Sequence, residues 1–251
     1  MTSLTEGSIF KEQTDNAKKM EGEIKRREPT KEDFVYKNIV TLCGKIIKIY
    51  PTGKDGICFI LSCGHGKTQR KNKDGLILRD TIPVCFYEKE AKYYGEKYKV
   101  GDFVVVNALV QNVRGREDDK TAIWGLAMGP KYHKGRKKIL DQNTVIIRGK
   151  IDRIRVLSNN YLILNVKTDT QKTRPNVTPN SNIPKITDRY MSITPIGIRF
   201  REGNAHEEAK KYTKGTWVDC KGYIDDFVMK DGRKKMHVMA TNVKIIGQTQ
   251  Q

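Results

Sequence analysis

The chain has 251 residues, of which 37% are hydrophobic and 31% charged, and its formal net charge is +19. That length can bury a sizeable core as one large domain or two small ones, and so large a positive excess points to polyanionic partners rather than to a neutral metabolic enzyme. Residues 1–35 hold seven Lys/Arg against eight Asp/Glu, a net of −1, so residues 36–251 carry about +20.

The N-terminal segment reads as a flexible arm over 1–35, low in hydrophobicity and mixed in charge. A short helix over "TDNAKKMEGEIKRRE" is weakened by Gly22. Its isolated apolar residues, Leu4, Ile9 and Phe10, suggest self-association between neighbouring molecules. There is no apolar leader core at the start and no run near the roughly 18 apolar residues of a membrane span. Cys43, Cys58, Cys63, Cys85 and Cys220 lack paired spacing, and four of them lie in strand-like apolar runs. Reduced thiols in a cytoplasmic compartment, a bacterial cell or a phage-infected host, are the expectation.

From residue 36 onward the chain repeats itself, which constrains the architecture. "NIVTLCGKIIKIY" aligns with "NTVIIRGKIDRIR" at a constant offset, matching Asn38 with Asn143, Gly44 with Gly149 and Ile49 with Ile154. Second strands follow in "ICFILSC" and "YLILNVKT", each after a turn signal. Third strands are "IPVCFY" and "ITPIGIRF", then come helix-compatible "EKEAKYYGEKY" and "EGNAHEEAKKY". "KVGDFVVVNALVQNV" matches "TKGTWVDCKGYIDDF", and "TAIWGLAM" and "MHVMATNVKII" close the units. Five strands with one helix between the third and fourth is the element order of an OB-fold. The expected class is therefore all-β, two tandem OB-folds, each a five-stranded Greek-key barrel with one short helix. The expected boundaries are OB-fold 1 at 36–128, a basic linker at 129–142, OB-fold 2 at 143–247 and a short tail at 248–251.

Alternation separates the strand faces. Val104, Val106, Ala108 and Val110 form one face of the fourth strand, and Val218, Cys220, Gly222 and Ile224 form its counterpart; all are small or aliphatic and read as core. The opposite face carries Phe103, Asn107, Leu109 and Gln111 in one copy and Trp217, Lys221, Tyr223, Asp225 and Phe227 in the other. On the first strands, Lys45 and the pair Arg148 and Lys150 point outward. Aromatics interleaved with cations suit unpaired nucleotides, because bases stack on rings and phosphates pair with Lys or Arg. The alternative for each aromatic is cover for a helix or an interdomain contact.

Two polar inserts between second and third strands add charge. The first holds Lys67, Arg70, Lys71, Lys73 and Arg79; the second holds Lys167, Lys172, Arg174, Lys185 and Arg189. Loops of this length are functional or disordered, and their charge favours closure over a bound strand. Metal and catalytic readings find little support. "CGHGK" lacks C-x₂-C spacing and the full phosphate-loop pattern, while adjacent Asp225 and Asp226 point to opposite strand faces. No cofactor, no metal and no enzymatic activity are expected.

"VTLCGKI" and "IPVCFYEKEAKYYGEKYKVGDFVVVNALVQNVRGR" resemble the single-stranded DNA-binding protein family, well over 36–128 and over 143–247 through the repeat. The resemblance implies an OB-fold that binds single-stranded DNA without chemistry and commonly oligomerises. By position it implies that Tyr87 is an aromatic at the end of the third strand, and that Arg114 and Arg116 form the basic end of the fourth. The chain departs from the family where bacterial members often place tryptophans, here Thr81 and Gly115, and it ends at "KIIGQTQQ" without an acidic, phenylalanine-ended tip. Two fused units without that tip look like a phage- or plasmid-encoded relative. The binding surface expected from sequence comprises aromatic Phe59, Tyr87, Phe103, Tyr161, Trp217, Tyr223 and Phe227, and basic Lys45, Arg114, Arg116, Arg148, Lys150 and Lys221, with the insert residues Lys67, Arg70, Lys71, Lys73, Lys172 and Arg174. The expected role is sequence-independent coating of single-stranded DNA in replication, recombination or transfer of a mobile element. An RNA-binding or RNA-chaperone module and an OB-based structural assembly remain as alternatives.

Overall fold

The structure is a computed structural model that describes residues 34–64, 75, 79–114, 119–130, 142–169, 191–200, 202–228 and 234–248. The expected arm, apart from its last two residues, most of both inserts and linker residues 131–141 lie outside the described residues. The first half of the chain forms β1 (Lys37–Thr52), β2 (Gly56–Cys63), β3 (Asp80–Tyr87), α1 (Glu88–Lys97), β4 (Phe103–Arg114) and β5 (Asp119–Pro130). The second repeats the order as β6 (Gln142–Ser158), β7 (Tyr161–Asp169), β8 (Met191–Arg199), α2 (Ala205–Ala209), β9 (Thr216–Val228) and β10 (Lys234–Gln248).

Each half closes into a five-stranded ring. β1, β2 and β3 pair antiparallel in sequence, β5 runs parallel to β3 at Val84↔Ile123, and β4 returns antiparallel to both β5 and β1. β6 to β10 close in the same way, with the parallel step at Ile196↔Val238. This is the Greek-key closure of an OB-fold, and the all-β expectation holds. The sequence periodicity dictates what fills the rings. Val104, Val106 and Val110 are fully buried and Ala108 nearly so, as are Val218, Cys220 and Ile224 at the equivalent places. Ala91 with Tyr98, and Ala205 with Tyr212, bury one side of each helical segment against its ring.

A long first strand serves several partners in each ring because it bends. β1 pairs with β4 through Val40–Lys45 and with β2 from Gly44 onward, with a bulge between Ile46 and Lys48; β6 bulges at the equivalent step, between Ile151 and Arg153. Glycine is required at the point where partners change. A Cβ on Gly44 would collide with the Ser62 carbonyl oxygen, and one on Gly149 with that of Lys167. Glycine in a strand interior commonly marks such close backbone approach.

The rings are themselves joined by strand pairing. Residues 34–251 form one compact unit, and β1 pairs antiparallel with β6 from Lys37↔Arg148 to Cys43↔Gln142, giving one ten-stranded sheet. The pairing centres on Val40↔Val145, which are equivalent residues of the repeat, so the two copies meet as the halves of a two-fold dimer do. Two asparagines repeat the same bonds on either side. Asn38 Nδ2 donates to the Val110 carbonyl at 2.7 Å and Asn38 Oδ1 accepts from the Val110 N–H at 2.9 Å; Asn143 makes the same pair with Ile224 at 2.7 and 2.9 Å. Each amide thus occupies a place in the ladder where the backbone has no strand partner, and both asparagines are buried. Asn143 Nδ2 also reaches Asp80 Oδ2 at 3.1 Å in the other ring, and the Thr81 N–H donates to Asp226 Oδ2 at 3.1 Å.

Replacing Asn143 with alanine leaves the buried Ile224 groups without that partner, which costs about 1–3 kcal/mol. Urea unfolding is expected to show that loss for Asn143→Ala and a change within about 0.5 kcal/mol for Gln142→Ala, an exposed neighbour. Equal midpoints for the two variants would contradict this account.

Candidate nucleic-acid interface

The outer side of the second and third strands is the surface that OB-folds present to oligonucleotides, β5 continues it beside β3, and alternation decides which side chains reach it. Phe59, Leu61 and Cys63 point into the first ring, whereas Cys58, Ile60 and Ser62 point out. On β3, Ile82, Val84 and Phe86 are core, leaving Pro83, Cys85 and Tyr87 outside. Phe59 is therefore corrected from a binding aromatic to a core residue: it is fully buried, edge-on to Phe86 with ring centroids 5.8 Å apart.

Three aromatics gather on the outer side of the first ring. Tyr87 meets Trp124 of β5 edge to face at 5.2 Å, and Tyr50 at the end of β1 lies over Cys58, with Lys48 Nζ 5.7 Å from its ring centre. Burial pushes the Tyr87 hydroxyl above its ordinary value, and the thiols of Cys85 and Cys58 add to the shift. At neutral pH the Tyr50 and Tyr87 rings are uncharged and present π-faces suited to stacking, whereas Trp124 is buried and packs against Tyr87.

The second ring builds the same place from different residues. Registers equate Tyr50 with Arg155 of β6, Tyr87 with Arg199 of β8, and Gly56 with Tyr161 of β7. Trp124 becomes Met239 and Leu109 becomes Tyr223. The Tyr161 hydroxyl lies 3.4 Å from Met239 Sδ, its ring lies 6.4 Å from that of His237, and His237 Nε2 is 3.6 Å from Asp225 Oδ2. Burial raises the Tyr161 hydroxyl above its usual range while Arg199 pulls it back. Arg153, Arg155, Lys167, Arg199 and Lys221 are exposed around these rings. An aromatic face in one ring thus corresponds to a cationic face in the other.

The remaining sequence-predicted residues divide clearly. Lys45 and Phe103 are exposed side by side, as register partners at the β1–β4 edge. Arg148 is held by Asp219 at 2.8 Å, both largely buried, so its charge is neutralised within the protein. Trp217 is buried rather than open: Phe34 and Tyr36 pack on it at 5.6 and 4.6 Å, and Lys150 Nζ sits 5.6 Å from its ring centre. The covering residues precede β1 and the aligned stretch that begins at Asn38, and the burial corrects the expectation of a stacking platform there. Lys67, Arg70, Lys71, Lys73, Arg116, Lys172 and Arg174, with the side chains of Arg114 and Phe227, lie outside the described residues. At the foot of the first insert, the Arg79 guanidinium donates to Ser62 Oγ at 2.8 Å and to the Ser62 carbonyl at 2.7 Å. Tyr50, Trp124, Arg153, Arg155 and Arg199 were missed, although alternation read along β1, β5, β6 and β8 brings them out.

Among the described residues, no group of three or more His, Cys, Asp or Glu is placed to hold a metal ion, and no helix is long and apolar enough to cross a membrane.

No family model matches the chain, and no curated protein matches it. Solved structures do. The wild-type single-stranded DNA-binding protein from Thermus aquaticus aligns with a TM-score of 0.58 at 13% identity, over 86% of this chain and 96% of that one. A deletion mutant of the single-stranded DNA-binding protein from the same organism gives 0.54 at 14% identity, over 84% and 95%. The likeness is one of fold.

Burial of Trp217 under Phe34 and Tyr36 has a spectroscopic consequence. In a Trp124→Phe background, adding Phe34→Ala and Tyr36→Ala is expected to shift Trp217 emission to the red and to increase its quenching by acrylamide. Unchanged emission and quenching would contradict the packing.

Proposed function

We propose that the chain binds and coats single-stranded DNA, largely independently of sequence, through the outer faces of β2, β3 and β5 and their counterparts β7, β8 and β10. The observation that carries this is the correspondence between the two faces: repeat-equivalent positions hold Tyr50 and Tyr87, with Trp124 buried against Tyr87, in one ring and Arg155 and Arg199 beside Tyr161 and Tyr223, with Met239 buried, in the other. Rings supply stacking of about 1–3 kcal/mol per base by alanine substitution, whatever the base. Cations supply a salt-dependent term through counterion release. The net charge of +19 and the likeness in fold to the Thermus aquaticus protein agree with this reading. Coating during replication, recombination or transfer of a mobile element is the setting proposed for it, with a phage or plasmid as the source.

The two rings then contribute in different ways. In the first, bases stack on Tyr50 and Tyr87 and most of the affinity resists salt. In the second, Arg155 and Arg199 pair with phosphates and most of it does not.

Titration of labelled oligo-dT at rising salt separates these contributions. Tyr50→Ala is expected to weaken binding by about 1–3 kcal/mol with the salt slope unchanged, whereas Arg155→Ala and Arg199→Ala each flatten the log–log slope by about 0.7. Duplex of equal length binding as well as oligo-dT would overturn the reading. Competition with an RNA oligomer of the same length separates DNA from RNA preference, since only RNA offers the 2′-hydroxyl.

A further inference from the structure

Two cysteines on the outer face of the first ring oppose one another. Cys58 and Cys85 are direct register partners in the antiparallel β2–β3 pair, and both are free thiols. Directly opposed residues have Cα atoms about 4.5–5.5 Å apart, inside the roughly 4.4–6.8 Å span of disulfides. The two thiols are hydrogen-bonded to each other, and Tyr50 is hydrogen-bonded to Cys58 and Tyr87 to Cys85. The fold does not demand cysteine there, since the equivalent partners in the second ring are Ile163 and Gly197.

We propose that Cys58 and Cys85 form a reversible oxidation site, a dithiol that hydrogen peroxide converts to a cross-strand disulfide and that thereby weakens single-strand binding by the first ring. The effect on binding rests on the proposed function; the chemistry of the thiol pair does not.

The hydrogen bond from Cys85 holds the Cys58 thiol below its ordinary range, with Tyr50 adding a second donor, and the same contact pushes Cys85 up. Cys58 is therefore the attacking sulfur; it is itself buried, so a small oxidant reaches it from the side of half-buried Cys85. The thiolate is the nucleophile in such chemistry. Cys58 sulfur bonds to one peroxide oxygen as the O–O bond breaks, and the departing hydroxide takes up the Cys58 proton as water. Cys85 sulfur then attacks the resulting sulfenic acid: the S–S bond forms, the S–O bond breaks, and the second hydroxide leaves as water with the Cys85 proton. Two thiols lose two electrons and the peroxide gains them. Disulfide formation draws the two sulfurs from hydrogen-bond contact to about 2.05 Å, which shifts the acceptors on which the Tyr50 and Tyr87 hydroxyls donate, and ordering the rings against a base becomes more costly.

Full-length protein treated with hydrogen peroxide, quenched and mapped by non-reducing mass spectrometry, is expected to yield a Cys58–Cys85 peptide pair two hydrogens lighter than the reduced peptides. Oligo-dT affinity should fall severalfold and return with dithiothreitol, and the Cys58→Ala/Cys85→Ala double variant should bind equally well before and after peroxide. Absence of the linked peptide, or linkage to another cysteine instead, overturns the site whatever the protein binds. The linked peptide with unchanged affinity, or an equal loss in the double variant, overturns the effect on binding. A reduced protein that fails to bind oligo-dT overturns the proposed function and with it that effect, and leaves the mapped disulfide to decide the site.

Discussion

The antiparallel pairing of β1 with β6 is the constraint on which the rest of the structure depends. It runs through Val40↔Val145 and is flanked on each side by an asparagine bonded to a fourth strand just past the end of its pairing with the first, Asn38 to Val110 and Asn143 to Ile224. A first strand left at a ring edge would expose unpaired backbone groups, a template for joining other chains. Here each first strand fills the other's edge, and the buried amides satisfy the backbone groups just beyond it. Buried polar groups that are fully bonded rigidify and specify one arrangement. The second, weaker set of contacts between the rings, from Asp80 and Thr81 to Asn143 and Asp226, follows from this register.

With the rings fixed, duplicated positions were free to diverge wherever no core residue was at stake. The core kept its largely apolar character: Gly44 and Gly149, Ala91 and Ala205, and Tyr98 and Tyr212 match outright, while Phe59 answers to Leu164 and Phe86 to Ile198. The outer faces did not. Tyr87 became arginine, Trp124 became methionine, and the Cys58–Cys85 pair became isoleucine and glycine. Packing constrains a buried residue from every side, because interiors are filled to near-crystalline density. An outer strand position answers mainly to whatever binds there, so one fold carries a stacking face and a cationic face in a single chain.

Much of this was legible in the sequence, for reasons of period. The repeat set the element order, and alternation in "VVVNALV" and "VDCKGYI" picked out the buried face of β4 and β9, although Leu109, Trp217 and Asp225 on the opposite face are buried too. Applied to "ICFILSC", the same rule places Phe59 with Leu61 inside; weighting the aromatic type above its parity is what misplaced it. Trp217 was illegible for another reason. Its cover comes from Phe34 and Tyr36, which precede the aligned stretches of the repeat, so no internal comparison reveals them. The β1–β6 pairing was equally hidden, since both strands already had partners within their own rings and nothing local marks a strand that pairs on both sides.

The central claim is that a single strand lies across the outer faces of β2–β3–β5 and β7–β8–β10, and photocrosslinking with mapping by mass spectrometry tests it most directly. Irradiation of the complex with 4-thiothymidine-containing oligo-dT should attach nucleotide to peptides bearing Tyr50, Tyr87 or Trp124 and to peptides bearing Tyr161 or Tyr223. Attachment confined to the peptide bearing Trp217, or to the Lys45–Phe103 edge, would place the strand elsewhere and contradict the account.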